Sequence, residues 1–200
     1  MNWADCFEQA PDDVTVAEIR DALAAHRTAS ERDDSDDEAG TVSDPPEPSP
    51  TRIVADADVL AADCCLDSEA RAALDLLRQH SWTTLVASDQ LIDDAEAVIE
   101  SVGDRSLAAD WRERIEAWRE PVDQPAGDHP AVASAYRGGA MHLLSFDDQL
   151  TGSAAGAALH NRFPVSVRQP DAFGLLFDPE SLYEAELSSE YPGPDRDPRA

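Results

Sequence analysis

The sequence contains no lysine, and this absence sets the charge balance of the chain. All 15 basic residues are arginine, against 42 acidic residues, so the formal net charge is −27. This balance resembles that of proteins from extreme halophiles, whose acidic surfaces face concentrated salt. At molar salt the screening length falls to about 3 Å, so net charge says little about partners. Local groups of residues must therefore carry the functional argument.

Cysteine is also scarce, and long apolar runs are missing. The three cysteines, Cys6, Cys64 and Cys65, form no CxxC pair and match neither a disulfide framework nor a zinc site. The N-terminus has no basic region followed by an apolar one, and no stretch of about 18 apolar residues occurs. We therefore predict a soluble cytoplasmic protein that makes no membrane contact.

Composition divides the chain into four segments. We predict an amphipathic helical segment at 1–29, a disordered linker at 30–51, an α/β domain at 52–183 and a disordered tail at 184–200. Residues 30 to 50 hold eight acids and four prolines. They contain too little apolar surface to offset the loss of chain entropy on folding. The N-terminal helix is expected either to dock on the main body or another copy, or to bind a protein partner.

Short apolar runs alternate with amphipathic helical patterns between residues 52 and 183. The runs "RIVA", "WTTLVA", "MHLLS" and "VSV" read as strands. Strands separated by helices predict a three-layer α/β/α fold with a mainly parallel, four- or five-stranded central sheet. In such a sheet a ligand site lies beyond the carboxyl ends of the strands, near the point where strand order reverses.

Several acids are placed to reach that edge of the sheet. They follow predicted strands or lie near helix starts: Asp56, Asp58, Asp93, Asp94, Asp128 and Asp147. Asp128 alone would be an ordinary helix N-cap, and helical phasing favours Asp94 over Asp93 as the inward acid. A cluster of carboxylates without histidine or cysteine suits Mg²⁺ or Mn²⁺.

The order of these acids, in "VADADVL", "SDQLIDDAEAVI", "DHPAVASAYRGGA" and "HLLSFDD", resembles the PIN domain family of metal-dependent nucleases. The resemblance covers residues 52 to 173. It implies a Mg²⁺- or Mn²⁺-dependent endoribonuclease acting on single-stranded RNA. The residues it assigns to catalysis and to the metal are Asp56, Asp94, Asp128 and Asp147. Two positions depart from the pattern: Asp94 replaces the usual glutamate, and Phe146 replaces a glycine.

Many PIN proteins form dimers, but the resemblance leaves open whether this chain forms a homodimer and whether a regulatory protein partner restrains it. Arg137 is our expected phosphate contact in place of a lysine, and His142 is expected to be packed and not catalytic. A different class remains open, in which the domain is a catalytically weak or inactive binding module. A phosphatase of the haloacid dehalogenase class, suggested by "DADVL", is disfavoured because its mechanism needs a lysine or another cation.

Overall fold

A computed structural model describes residues 2–30, 44–125 and 127–200. Within these residues the chain forms eleven helices and five strands. The strands are β1 (Ser49–Ala55), β2 (Thr84–Ser88), β3 (Glu120–Val122), β4 (Ala140–Leu144) and β5 (Ser166–Arg168). The helices are α1 (Trp3–Glu8), α2 (Val16–Ser30), α3 (Ala57–Cys65), α4 (Glu69–Arg78), α5 (Asp89–Val102), α6 (Arg105–Trp118), α7 (Pro130–Arg137), α8 (Asp148–Thr151), α9 (Ser153–His160), α10 (Pro170–Leu176) and α11 (Pro179–Leu187).

The sheet has strand order β3-β2-β1-β4-β5, and every neighbouring pair is parallel. Helices flank this sheet, so the predicted three-layer α/β/α fold is confirmed. The strands β1 and β2 each contain three consecutive buried apolar residues, which is the pattern of a sheet covered on both faces. Strand order reverses between β1 and β4, and this crevice is where a ligand is expected.

The strand β3 escapes prediction from sequence. It has only three residues, two of them exposed, and its centre is Pro121. Proline is confined to edge strands and strand ends, and β3 is an edge strand whose one partner among the described strands is β2. The strand β1 begins at Ser49, three residues earlier than its apolar run, because Ser49 pairs with Ala140, the first residue of β4, and donates its backbone N–H to the Gly139 carbonyl.

The N-terminal segment packs on the α/β body. The helix α2 contacts α5 and α3 and buries Ile19 and Leu23. The helix α1 buries Trp3, whose ring meets Trp118 of α6 edge-on with centroids 5.7 Å apart. The helix α2 therefore lies beside the two helices that carry the acids discussed below.

The C-terminal segment also contacts the body. Residues 184–200, for which the sequence predicts a disordered tail, include the end of α11. Beyond it, the Tyr191 hydroxyl lies 2.6 Å from Nε2 of His80, and Asp195 accepts a hydrogen bond from the backbone N–H of Ser81. Most of the predicted linker falls on 31–43, outside the described residues. In the part of the chain that the structure describes, no helix is both long and apolar enough to cross a membrane.

Candidate functional site

Asp56 lies at the carboxyl end of β1, in the crevice between β1 and β4. It is fully buried, and it is the N-cap of α3, where its Oδ1 accepts a hydrogen bond from the backbone N–H of Ala57 at 2.8 Å. Parallel pairing with β4 brings a second partner, because the Ser145 hydroxyl donates to Asp56 Oδ2 at 3.0 Å. Both carboxylate oxygens are thus held in place by the ends of two adjacent strands.

Asp58 is buried one helical step away. Its Oδ2 accepts a hydrogen bond from the backbone N–H of Phe146 at 3.1 Å, while Oδ1 is buried without a hydrogen-bond partner among the described residues. Burial, and then the charge of Asp56, hold the pKa of Asp58 well above its usual range. The carboxyl of Asp58 therefore supports the loop after β4 through the hydrogen bond from Phe146.

Asp94 reaches the same place from α5. It is buried, and its Oδ1 accepts a hydrogen bond from the Gln90 side chain at 3.0 Å. Asp93 points elsewhere and pairs with Arg112 on the surface. The inward phase of Asp94 follows from its position three residues after Leu91, which is fully buried. The preference for Asp94 over Asp93 agrees with this geometry.

Arg27 of α2 joins the two acids. Its Nε donates to Asp94 Oδ2 at 2.8 Å, and its Nη2 donates to Asp56 Oδ1 at 3.1 Å. Its Nη1 lies 3.1 Å from Nε2 of His129, and His26 Nε2 lies 3.5 Å from Asp94 Oδ1. Burial opposes the charge of Arg27, but Asp56 and Asp94 outweigh it and raise the pKa of the guanidinium. One cation is therefore shared by two buried carboxylates.

Asp147 lies at the same edge of the sheet and is half-buried. It is the N-cap of α8, where its Oδ1 accepts from the backbone N–H of Gln149 at 2.8 Å. Its own backbone N–H donates to the Ser145 hydroxyl at 3.0 Å. Ser145 thus connects the backbone of Asp147 to the carboxylate of Asp56.

Asp128 is not brought into this group. It is exposed, and its carboxylate makes no hydrogen bond or ion pair within the described residues. The prediction that it caps α7 is wrong, because His129 occupies the N-cap position and has no side-chain capping bond. His129 instead approaches the acids, with its Nε2 3.9 Å from Asp56 Oδ2. The loop before α7 therefore presents a histidine where the sequence suggested an aspartate.

Arg137 is at the wrong edge for its predicted phosphate contact. It ends α7 immediately before the turn into β4, which places it at the amino end of that strand. Asp56 lies beyond the carboxyl end of the neighbouring parallel strand. The arginine that reaches the acids is Arg27. His142 packs against Phe173, as expected, with ring centroids 5.7 Å apart.

The donor set fits a hard cation in part. Asp56 and Asp94 offer carboxylate oxygens of the kind that Mg²⁺ and Mn²⁺ prefer, and both point at one positive group. Within the described ranges, however, no three histidine, cysteine, aspartate or glutamate side chains are arranged to hold a metal ion. The guanidinium of Arg27 lies between the two acids and contacts both.

A family model described as "Family of unknown function (DUF7384)" matches residues 47–199. No curated protein and no solved structure matches the chain. The matched region contains all five described strands together with Asp56, Asp94 and Asp147. The helix α2 and its Arg27 precede the matched region.

Proposed function

We propose a function from the site itself, because the chain belongs to DUF7384, a family whose function is unknown. The proposed activity is Mg²⁺- or Mn²⁺-dependent hydrolysis of phosphodiester bonds in single-stranded RNA, of the PIN nuclease type. One observation carries it: Asp56 and Asp94, both buried, converge on a single cation at the carboxyl edge of a parallel sheet, where the strand order reverses.

Burial makes this arrangement costly unless it has a use. A buried carboxylate needs a positive partner, and replacing such pairs by apolar residues often leaves stability unchanged or improved. Asp56 and Asp94 come from different elements, β1 with α3 and α5, and meet at the crevice that serves ligands in open α/β sheets. This placement supports a binding role in preference to a purely structural one.

The residues around the acids have distinct tasks in the proposed activity. Asp56 and Asp94 would hold the ion, since one or two carboxylates with waters are enough for Mg²⁺, and the PIN resemblance assigns Asp147 as a further ligand. Such an ion, when bound, lowers the pKa of a water and neutralises the leaving oxyanion. Ser145 orients Asp56, and Gln90 orients Asp94, through the hydrogen bonds given above. His129 is placed to hold or accept a proton beside Asp56.

A second function is favoured by a specific observation. Arg27 already forms ion pairs with both Asp56 and Asp94, so the domain could serve as a binding module without turnover. In that case the acids are a fixed ion-pair network that docks α2. The two functions differ in one outcome, which is whether RNA is cleaved in a metal-dependent way.

The test is cleavage of labelled single-stranded RNA in molar KCl with Mn²⁺. The proteins compared are wild type, Asp56→Asn and Asp147→Asn, with Asp148→Asn as the matched control because Asp148 is the exposed neighbour of Asp147. We expect wild type and the control to cleave, and the other two to lose at least about 100-fold, more than loss of an outer supporting group costs. Cleavage that survives chelation of the metal, or that persists in Asp56→Asn, contradicts the proposal.

A further inference from the structure

Arg27 occupies the space between the two acids. Its guanidinium contacts Asp94 Oδ2 at 2.8 Å, Asp56 Oδ1 at 3.1 Å and the His129 ring at 3.1 Å. A Mg²⁺ ion would need those same oxygens at about 2.0–2.1 Å. The guanidinium and a divalent ion cannot both lie between Asp56 and Asp94, so the two cations compete for one position.

The position of Arg27 is fixed by the packing of α2. Ile19 and Leu23 are buried against α5, which carries Asp94, and α3, which Asp56 caps. Arg27 lies one turn beyond Leu23, so its side chain leaves the helix on the side that faces the acids. When α2 is docked on α3 and α5, the guanidinium of Arg27 therefore lies between the two acids.

The helix α2 and the acids of the site belong to different parts of the chain. The acids lie inside residues 47–199, which match the family model, whereas α2 precedes that region. The side chain of Arg27 is one-quarter exposed, so the contact lies at the mouth of the crevice and not in the interior of the core. The main contacts of α2 are with the helices α5 and α3 and not with the strands of the sheet.

We propose that α2 is a built-in plug, in which the guanidinium of Arg27 excludes a divalent cation from Asp56 and Asp94 until the helix is displaced. This inference rests on the proposed metal-dependent function of the same site. The apparent association constant for the metal is then the intrinsic constant multiplied by the fraction of molecules in which the helix is undocked. A plug closed nine-tenths of the time weakens metal binding about 10-fold.

The experiment is calorimetric titration of the full-length protein with Mn²⁺ in molar KCl. Arg27→Gln removes the competing cation, and we expect it to bind Mn²⁺ about 10-fold tighter than wild type, or more. Arg20→Gln is the matched control, because Arg20 lies on the same helix and pairs only loosely with Asp148, at 3.8 Å. Salt at this concentration screens the long-range effect of losing one charge, so Arg20→Gln should bind as wild type does.

A second variant keeps the charge and loosens the helix. Leu23→Ala removes a buried contact of α2 while leaving Arg27 in the sequence, and we expect Mn²⁺ affinity between those of wild type and Arg27→Gln. This variant also serves if Arg27→Gln fails to fold, which circular dichroism reports. A fixed structural ion pair would leave Leu23→Ala with the Mn²⁺ affinity of wild type.

RNA cleavage measured on the same proteins separates this inference from the proposed function. Tighter Mn²⁺ binding by Arg27→Gln with faster cleavage supports both. Tighter binding with no cleavage by any protein supports the plug and overturns the ribonuclease. Equal Mn²⁺ affinity in wild type, Arg27→Gln and Leu23→Ala, including no binding by all three, overturns the plug, whether or not wild type cleaves RNA.

Discussion

Ser145 donates a hydrogen bond to Asp56 at 3.0 Å and so joins the carboxyl ends of β1 and β4. The same hydroxyl accepts from the backbone N–H of Asp147. Ser145 is fully buried, so water cannot easily take the place of its hydroxyl when the side chain is substituted. The orientation of the central carboxylate depends on this one side chain.

Ser145→Ala should weaken the site more than the fold. Leaving Asp56 Oδ2 and the Asp147 N–H without their partner should cost about 1–3 kcal/mol of unfolding free energy. Mn²⁺ affinity should fall about 10- to 100-fold, as for other groups that orient metal ligands. Denaturant unfolding and metal titration give the two values. Ser106→Ala, at an exposed position, should change neither; an unchanged Mn²⁺ affinity in Ser145→Ala would show that Asp56 needs no such support.

The Arg27–Asp94 pair should be coupled energetically. We expect a coupling energy of about 1–3 kcal/mol from a double-mutant cycle with Arg27→Gln and Asp94→Asn, because the pair is close and Asp94 is buried. The neighbouring pair Arg112–Asp93 is the control: it is as close, at 2.5 Å, but Asp93 is exposed, so its coupling should stay below about 1 kcal/mol. Equal coupling in the two cycles would mean that α2 is not held by Arg27.

Arg78 should be important for stability through the contacts of its guanidinium with buried side chains outside the site. It is buried with Asp63, contacts Asp75 at 2.9 Å and stacks 4.1 Å above the Trp3 ring. Arg78→Met leaves Asp63 buried without its charge partner, which should cost about 3–5 kcal/mol. Arg105→Gln, an 86% exposed side chain, should cost less than about 1 kcal/mol. Thermal or urea unfolding compares them, and a loss under about 1 kcal/mol for Arg78→Met would contradict the account.

Stability should fall between pH 6.5 and pH 4 because of His142. Burial, and then Arg168, lower the pKa of His142 to about 4 from its ordinary value of 6.5. In this window the unfolded chain binds a proton that the folded chain does not, so the free energy of unfolding decreases as the pH falls. The contribution is roughly 1–3 kcal/mol after allowance for partial exposure.

Removing His142 should remove that part of the pH dependence. Unfolding free energies of His142→Gln from pH 7.5 to pH 4 should fall less steeply than those of wild type. His160→Gln, at an exposed position, should run parallel to wild type. If His142→Gln also runs parallel to wild type, His142 is not the cause.

The sequence predicts more of the fold than of the site. Four apolar runs predict four of the five strands, and the alternation with helices predicts the parallel sheet that the structure has. The phase of α5 relative to Leu91 separates Asp94 from Asp93, because burial of one helical position fixes its neighbours. These are local patterns, and local patterns are readable in a single sequence.

The missed residues depend on contacts between distant parts of the chain. Arg27 and Asp94 are 67 residues apart, and nothing local to α2 indicates that its arginine meets an acid of α5. The one local indication is that Arg27 lies four residues after Leu23 and so on the same face of the helix. Asp128 and His129 were exchanged because the backbone of the turn before α7, which selects the inward side chain, is not encoded by residue type alone. The phosphate contact predicted for Arg137 is wrong because Arg137 lies at the amino end of β4. The parallel direction of β4 already places that end opposite the acids.

The most direct measurement is the anomalous scattering of manganese in crystals of wild type and of Arg27→Gln grown with Mn²⁺. We predict a manganese peak in Arg27→Gln that contacts carboxylate oxygens of both Asp56 and Asp94 at about 2 Å, in the place that Arg27 occupies in wild type. A saturating Mn²⁺ concentration that gives no peak touching both acids in either protein would contradict the claim that these carboxylates are a metal site.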